Sequence, residues 1–326
     1  MLGIEATGSS VCALLAGADG GMLGVGRAAG ANPTAYPLDV VSDRLGGAII
    51  SALGGTAPEK VAGAVVGMAG IRTPSETAAL HALTQVWERV GLTCPVRIVT
   101  DAAAAFAGGT TASRGAVLIA GAGSIAAWID SERMTHRVAG HGWLIGDDGS
   151  GFWLGRQAVR AVLDELDGRG GPTLLRMAVL GTIANTDDLP AEPDEQMSIL
   201  RTAVYDQPPI ALSRLAPLVP AAAEAGDRTA QRILDRSVTL LVESLEALFR
   251  DVPAAETGGA DPIVLSGELL TAPGRIQREV SRRIAERYGR EPVIARHAAG
   301  GAAWLALCEV NGVNLDAHAA LRDLAY

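Results

Sequence analysis

The chain has 326 residues, of which 48% are apolar, and a formal net charge of −9. That length suits two modest domains with a sizeable core, and the negative charge argues against nucleic acid as the main partner. Cys12, Cys94 and Cys308 are odd in number and widely scattered, which argues against a disulfide framework and fits a reducing cytoplasm. No apolar run has the length of a membrane span, and Glu5 interrupts the opening apolar stretch, which argues against a secretory signal.

Strand and helix patterns alternate over the first hundred residues. Strands are predicted at 11–15, 21–26, 61–68 and 95–100, and helical spacing is found at 39–53. Thr73-Pro74-Ser75-Glu76 is a capping box that predicts the start of a helix reaching residue 90. Asp101 follows the last of these strands and is predicted to open an alanine-rich helix that ends at 108–109.

The opening strand-turn-strand pattern recurs near residue 115, which indicates two similarly built lobes. The segments 116–120, 126–130 and 135–138 predict a meander with a turn at 130–133. Helices are then predicted at 152–166, 227–250, 273–288 and 297–308, with a strand at 262–265. The acidic, proline-bearing segment 185–195 is predicted to be a loop.

Two glycine turns suggest phosphate sites. The first lies in Gly3-Ile4-Glu5-Ala6-Thr7-Gly8-Ser9-Ser10 and the second in Gly121-Ala122-Gly123-Ser124. Glycine lets backbone N–H groups approach a phosphate closely. Lys60 is the only lysine and no Gly-Lys-Ser/Thr is present, which excludes a P-loop. The second turn also fits a dinucleotide-binding pattern, but Ala126-Ala127-Trp128-Ile129 looks extended rather than helical, so an ordinary tight hairpin is the simpler alternative.

Asp101 stands at the carboxyl end of a predicted parallel strand, the edge at which open α/β sheets bind ligands. It is either a general base that takes a proton from a substrate hydroxyl or an N-cap of the following helix.

The segment between His141 and Gly151 is the densest polar and glycine-rich cluster. Asp147 and Asp148 between glycines predict either a solvated turn or a carboxylate pair that binds sugar hydroxyls. Trp143 and Trp153 on either side favour a carbohydrate pocket. Asn32, in Gly30-Ala31-Asn32-Pro33, is predicted to be a loop residue, with a plain Asn-Pro turn as the alternative.

These segments together resemble the BadF/BadG/BcrA/BcrD-type ATPase family, and within it the N-acetylglucosamine and glucosamine kinases. The Gly146-Asp147-Asp148-Gly149-Ser150 segment is the most specific part of the resemblance. It implies an α/β, two-lobed actin-like ATPase (ribonuclease H-like) sugar kinase fold with a cleft between the lobes. We expect one lobe at 1–112 and the other at 113–326, with the final helix packing back on the first lobe.

The resemblance also implies roles for individual residues. Asp101 would be the catalytic base, and Glu5 would lie near Mg²⁺. The implied sugar-binding residues are Asn32, Asp101, His141, Gly146, Asp147 and Asp148. The implied ATP-binding residues are Gly8, Ser9, Ser10, Gly121, Gly123, Ser124, Gly267, Glu268 and Gly301, of which Gly267 and Gly301 would form adenosine-side turns. A cytoplasmic homodimer that binds ATP and an amino sugar is expected, with no nucleic acid or membrane partner.

Three residues depart from the family pattern, and they leave the substrate open. Thr7 replaces a frequent glycine, so its φ must stay negative; Ala122 replaces a hydroxyl residue, and Asp148 replaces glutamate.

We expect phosphorylation of the 6-hydroxyl of glucosamine, with N-acetylglucosamine as the alternative. A sensor that binds sugar or nucleotide without turnover is the alternative of another class. The dehydratase activators of the family need cysteines that bridge an iron–sulfur cluster, and the three cysteines here do not lie in the matching segments.

Overall fold

Two five-stranded sheets organise the chain over the residues that the computed structural model describes, which are 1–70, 77–186, 188–253 and 260–324. The first sheet contains β1 (Leu2–Ala6), β2 (Ser10–Ala16), β3 (Met22–Ala29), β4 (Ala64–Met68) and β5 (Val96–Thr100). The second contains β6 (Arg114–Ala120), β7 (Ser124–Asp130), β8 (Arg133–Ala139), β9 (Ile263–Ser266) and β10 (Val293–Ala295).

The two sheets share one topology. The strand order is β3-β2-β1-β4-β5 in the first sheet and β8-β7-β6-β9-β10 in the second. In each sheet three consecutive strands form an antiparallel meander. Two later strands then add in parallel beside the first strand of the meander. The recurrence predicted near residue 115 is confirmed, and the fold is a mixed α/β arrangement of two similarly built halves.

Helices cover the faces of both sheets. Those of the first half are α1 (Leu38–Leu53), α2 (Thr77–Val90) and α3 (Asp101–Gly109). They are followed by α4 (Gly151–Leu166), α5 (Leu175–Ala184), α6 (Pro193–Tyr205), α7 (Leu218–Glu224), α8 (Arg228–Asp251), α9 (Glu268–Thr271), α10 (Arg275–Tyr288), α11 (Ala298–Asn311) and α12 (Leu315–Arg322). Among the described residues, none of these helices has both the length and the apolar character needed to cross a bilayer.

Three apolar clusters form the core. One lies between the first sheet and α1 and α2, and a second lies between the second sheet and α4, α8 and α10. The third joins the halves, because α3 and α11 pack there against residues of both sheets, such as Val65 of β4 and Val117 of β6. Glycine allows close backbone approaches there: a Cβ on Gly3 would lie 2.2 Å from the Ala299 carbonyl oxygen.

Most elements form where the sequence predicts them, and the differences are local. The meander and its turn are confirmed, and Ser131 and Glu132 occupy that turn with φ of 49° and 66°. The segment 185–195 is a loop only at its start, because α6 begins at Pro193. Helices α5, α6, α7, α9 and α12 and the strand β10 were not predicted. The predicted capping box from Thr73 to Glu76 lies outside the described residues.

Candidate active site

The parallel strands β1, β4 and β5 end together at one edge of the first sheet. Their register aligns Ala6 with Met68 and Met68 with Thr100, so the residues that follow these strands lie side by side. Those residues are the first glycine turn, the segment 69–70 and Asp101. The sheet edge therefore brings the predicted base next to the predicted first phosphate site.

Asp101 is the first residue of α3 and is not its N-cap. Thr100 caps the helix, since its Oγ1 accepts a hydrogen bond from the Ala103 N–H at 3.2 Å. The Asp101 Oδ1 accepts one bond, from the Ala102 N–H at 2.9 Å. Burial raises the pKa of the Asp101 carboxyl group, and that backbone hydrogen bond opposes the rise. A half-buried carboxylate with a raised pKa at the carboxyl end of a parallel strand suits proton transfer better than helix capping.

Two further carboxyl groups lie close enough to interact with this region. Glu5, near the end of β1, has a pKa raised to about 7, first by burial and then by Asp101 and Glu268, while Arg27 lowers it. Glu268 begins α9 directly after β9 of the second sheet. Glu5, Asp101 and Glu268 therefore form an acidic group to which both sheets contribute.

The first glycine turn is held by a threonine hydroxyl. Thr7 Oγ1 accepts hydrogen bonds from the Ser9 N–H at 3.3 Å and the Ser10 N–H at 3.1 Å, and it donates to the Ser10 carbonyl oxygen at 3.0 Å. Thr7 has a negative φ, as predicted, and a Cβ on Gly8 would meet no atom within 4 Å. The turn is thus formed without strain, and its exposed serines face open space.

Asn32 lies beside the same edge. A Cβ on Gly70, which has a φ of 83°, would lie 2.2 Å from the Asn32 Oδ1. That oxygen accepts hydrogen bonds from the backbone N–H and the hydroxyl of Thr34, at 2.9 and 2.8 Å. The loop of Asn32 also contacts the first turn, since the Ala31 N–H donates to the Thr7 carbonyl oxygen at 2.9 Å. The Asn-Pro turn does form here, and it places Asn32 at the sheet edge.

The second glycine turn connects β6 to β7 as a hairpin, which excludes the dinucleotide-binding alternative. The Gly121 N–H donates to the Gly123 carbonyl oxygen at 3.0 Å. Gly267, with a φ of 85°, packs against this turn: a Cβ there would lie 2.9 Å from the Gly121 nitrogen. The segment that carries Glu268 therefore packs against the second glycine turn.

Asp147 lies against the second turn and is buried, so the solvated-turn alternative does not hold for this residue. The residue is only 7% exposed, and its Oδ1 accepts a hydrogen bond from the Ser124 N–H at 3.2 Å, which offsets part of the burial cost. Burial raises the pKa of the Asp147 carboxyl group, against that hydrogen bond and the nearby His141. Asp148 has an exposed side chain, and its carbonyl oxygen accepts a hydrogen bond from the Ser124 hydroxyl at 2.9 Å.

The rest of the polar cluster is an exposed loop. The Gly146 N–H donates to the Gly142 carbonyl oxygen at 2.8 Å, which closes a turn against His141. Leu144 and Ile145 at its tip are 75% and 79% exposed. Trp143 lies half-buried with its ring 6.0 Å from that of Phe152, whereas Trp153 packs against the core of the second sheet.

Gly301 does not form a turn, so that part of the sequence interpretation is wrong. It lies within α11, and a Cβ on it would be 2.0 Å from the Ala104 carbonyl oxygen and 2.4 Å from the Gly108 nitrogen. The residue is a glycine because α11 and α3 are in backbone contact there. Ser150 and Ser237, which support the 146–151 loop, were missed, since a buried serine has no distinctive pattern in a sequence.

The acidic group fits a magnesium ion that is held mainly through water and phosphate. Oxygen ligands are those Mg²⁺ prefers, and the carboxyl groups of Asp101 and Glu268, which raise the pKa of Glu5 after burial does, add negative charge that a cation would neutralise. Across the described parts of the chain, no three His, Cys, Asp or Glu residues come together as a ready-made metal site. Glu5 fits the ion as one protein contact among solvent and substrate oxygens.

Two sheets of one topology, each opening on a glycine turn, define the actin-like class of nucleotide-binding α/β proteins. The chain belongs to the BadF/BadG/BcrA/BcrD ATPase family, whose model matches residues 2–306.

Named relatives and solved structures agree with this membership. The N-acetylmuramic acid/N-acetylglucosamine kinase of Clostridium acetobutylicum is 34% identical over 151 residues, so the match spans 46% of this chain and 47%, about half, of that protein. The N-acetyl-D-glucosamine kinase of Dictyostelium discoideum is 28% identical over 70% of this chain and 69% of that protein. A Porphyromonas gingivalis structure assigned as an N-acetylglucosamine kinase matches 96% of this chain and 100% of that chain, with a TM-score of 0.68 and 18% identity. A ROK family glucokinase from Streptomyces griseus, solved with glucose and AMPPNP, covers 94% of this chain and 98% of its own with a TM-score of 0.53 and 18% identity. At these identities the structural likeness is one of fold.

Proposed function

We propose that the chain is an ATP-dependent kinase that transfers the γ-phosphoryl group to the 6-hydroxyl of a hexosamine. The observation that carries this proposal is the meeting of Asp101 with the first glycine turn at one sheet edge, beside an acidic group to which Glu268 of the other half contributes. The names of the Clostridium and Dictyostelium relatives support the same reaction.

Asp101 is the general base of this mechanism. Its carboxylate accepts the proton of the 6-hydroxyl while the sugar oxygen bonds to the γ-phosphorus and the bond to the bridging oxygen of ADP breaks. General-base help of this kind contributes ~10²–10⁴-fold, and positioning and charge neutralisation supply much of the rest. Backbone N–H groups of the turns at Gly8 and Gly123 bind the phosphates, and Asn32 orients the sugar. Mg²⁺, when bound near Glu5, would neutralise phosphate charge.

We propose N-acetylglucosamine as the acceptor, ahead of glucosamine, and the names of the Clostridium and Dictyostelium relatives support this choice. The expectation of glucosamine rests on the resemblance to glucosamine kinases and on an acid-rich pocket for the ammonium group, yet Asp147 is 7% exposed and its carboxylate already accepts a hydrogen bond from the Ser124 N–H. Leu144 and Ile145 instead offer exposed apolar surface, which an acetyl methyl group needs. The exposed carboxylate of Asp148 is the one observation that keeps glucosamine as the second candidate.

The test compares N-acetylglucosamine, glucosamine and glucose at equal concentration in an ADP-release assay with Mg-ATP. A kcat/KM advantage of about tenfold for one sugar corresponds to ~1.4 kcal/mol of differential transition-state binding and identifies the acceptor. Asp148→Asn lowers only the glucosamine rate if this carboxylate binds the ammonium group. If the protein binds nucleotide but releases no ADP with any of the three sugars, that result would favour a sensor without turnover.

Asp101→Asn provides the test of mechanism. The variant should bind both substrates normally and lose turnover by a factor of ~10² or more, because the amide cannot accept the proton. Sugar and nucleotide affinities measured by calorimetry serve as its control, since they separate lost chemistry from lost folding. A kcat close to that of the wild type would refute the assignment.

The cellular setting and the assembly are also proposals. A cytoplasmic homodimer follows from the family resemblance, as do the two lobes at 1–112 and 113–326. Sedimentation of the purified chain with and without substrates would give its oligomeric state.

A further inference from the structure

The loop at 146–151 packs against the second glycine turn and is hydrogen-bonded to it. Besides the Asp147 and Asp148 contacts to Ser124, the Gly151 N–H donates to the Gly121 carbonyl oxygen at 2.7 Å and the Phe152 N–H donates to the Ala122 carbonyl oxygen at 3.0 Å. Every residue from Gly121 to Ser124 except Gly123 therefore bonds to this loop or to the residue that follows it. Gly123 itself leaves room for the Asp147 carboxylate, 3.0 Å from where a Cβ would lie. The position of the turn depends on the position of the loop.

The backbone of the 146–151 loop adopts an unfavourable conformation at Asp147. Asp147 has a φ of 58° and Gly149 a φ of 80°, and the left-handed conformation costs a residue other than glycine on the order of 1 kcal/mol. Such a loop persists only where the surroundings hold it.

Ser237 of α8 supplies one such contact from outside the loop. Its hydroxyl donates to the Gly149 carbonyl oxygen at 2.7 Å, and the side chain is fully buried. A Cβ on Gly149 would lie 2.9 Å from the Ser237 carbonyl oxygen, so the loop rests directly on the helix.

Other hydroxyls of the same helix behave differently. Ser244 donates to the Leu240 carbonyl oxygen and Thr239 to the Asp235 carbonyl oxygen, each at 2.9 Å and one turn back along α8. That is the usual bond of a serine or threonine within a helix. Ser237 instead donates to a carbonyl 88 residues away in the chain.

We infer that Ser237 is a positioning residue for nucleotide phosphate, acting through Gly149 and the 146–151 loop on the second glycine turn. The inference rests on the proposed function, because it takes that turn to bind phosphate. Ser237 contacts no substrate. It fixes the loop whose carboxylate and carbonyl groups accept hydrogen bonds from the backbone N–H and hydroxyl of Ser124 and so hold the second glycine turn in place, and the position of that turn sets the affinity for ATP.

The experiment compares Ser237→Ala with the matched control Ser244→Ala, which removes a hydroxyl from the same helix without touching the loop. The readouts are the Kd for a fluorescent methylanthraniloyl-ATP with Mg²⁺, the steady-state constants for ATP, and the Tm. The Kd and the KM for ATP should rise roughly three- to tenfold in Ser237→Ala, the effect of one lost hydrogen bond, and stay unchanged in Ser244→Ala. Ser237→Cys, which keeps a weak donor, should fall between the wild type and alanine.

A lower Tm in Ser237→Ala with a wild-type Kd, measured well below that Tm, would overturn the inference and leave Ser237 a core residue only. If the alanine variant does not fold, the Kd of Ser237→Cys against Ser244→Cys decides in the same way. A wild-type chain that binds the nucleotide but phosphorylates no sugar would refute the proposed function, while the Kd comparison still tests Ser237. A wild-type chain that binds no nucleotide would refute both.

Discussion

Glu5 is a carboxyl group in surroundings that disfavour its ionised form. Its pKa in the folded chain is about 7, against 4.5 for an ordinary glutamate, chiefly because it is buried and then because Asp101 and Glu268 lie near it. A raised pKa means that the folded state keeps a proton that the unfolded chain has released. Glu5 therefore costs nothing in stability below pH 4.5, and its cost grows until the pH exceeds about 7.

The pH dependence of the stability cost of Glu5 predicts how the stability of Glu5→Gln compares with that of the wild type. Glutamine has a similar shape and no charge, so the variant should gain stability over the wild type as the pH rises from 4.5 to above 7. Urea unfolding of both proteins at about pH 4.5 and about pH 8, without Mg²⁺ or nucleotide, measures the difference. Asp130→Asn, a change at the end of β7 far along the chain from the acidic group, serves as the control. A stability difference that does not change with pH would contradict the raised pKa.

Among the elements, α11 and α3 pack through glycine, and this contact predicts the cost of one methyl group. Gly301→Ala would place a Cβ 2.0 Å from the Ala104 carbonyl oxygen, so the two helices must separate. Overpacking of this kind costs ~1–3 kcal/mol of stability. Since Asp101 begins α3, kcat should fall as well. Chemical denaturation and steady-state kinetics measure the two effects.

Gly47→Ala is the matched control for that change. Gly47 is an exposed residue inside α1, and a Cβ there would meet no atom within 4 Å. Alanine is the better helix former, so this variant should gain about 0.5–1 kcal/mol and keep its kinetics. Equal losses of stability and of kcat in Gly301→Ala and Gly47→Ala would mean that the Gly301 substitution does not act by disturbing the close approach of α11 to α3.

Elements with a clear period could be predicted, and elements defined by tertiary contacts could not. The apolar spacing of α8 and the strands of both meanders is visible in the chain, as is the closing glycine of α10 at Gly289. Helix α5 has weak amphipathic character, and only three of its residues are buried, so no period marks it. The same distinction holds in the site. The position of Asp101 follows from its strand, whereas the burial of Asp147 follows from a hydrogen bond to Ser124, which the sequence does not reveal.

At the scale of the whole molecule, the first sheet is completed by a helix from the far end of the chain. Its α1 face is covered by local helices, but the opposite face packs against both α3 and α11, and α11 begins almost 200 residues after β5 ends. The residues of that face are small and apolar, and Gly3 allows the backbone of α11 to approach to within van der Waals contact. A division of the chain at residue 112 therefore leaves α3 with the first sheet but removes α11, which shares the same covering layer.

This arrangement predicts that the fragment 1–112 does not fold alone. Without α11 it exposes an apolar sheet face, and a small domain that loses one side of its core lacks the burial to offset chain entropy. The same fragment joined through a flexible Gly-Ser linker to residues 297–324 should unfold cooperatively in urea and bind little ANS, whereas 1–112 should show no transition and bind the dye strongly. Replacing Ala299 and Ala303 with aspartate in the fused segment, where both are fully buried, should return the fusion to the behaviour of the bare fragment. A cooperative transition in 1–112 by itself would show that α1, α2 and α3 suffice, and that α11 serves to join the two halves and not to complete the first.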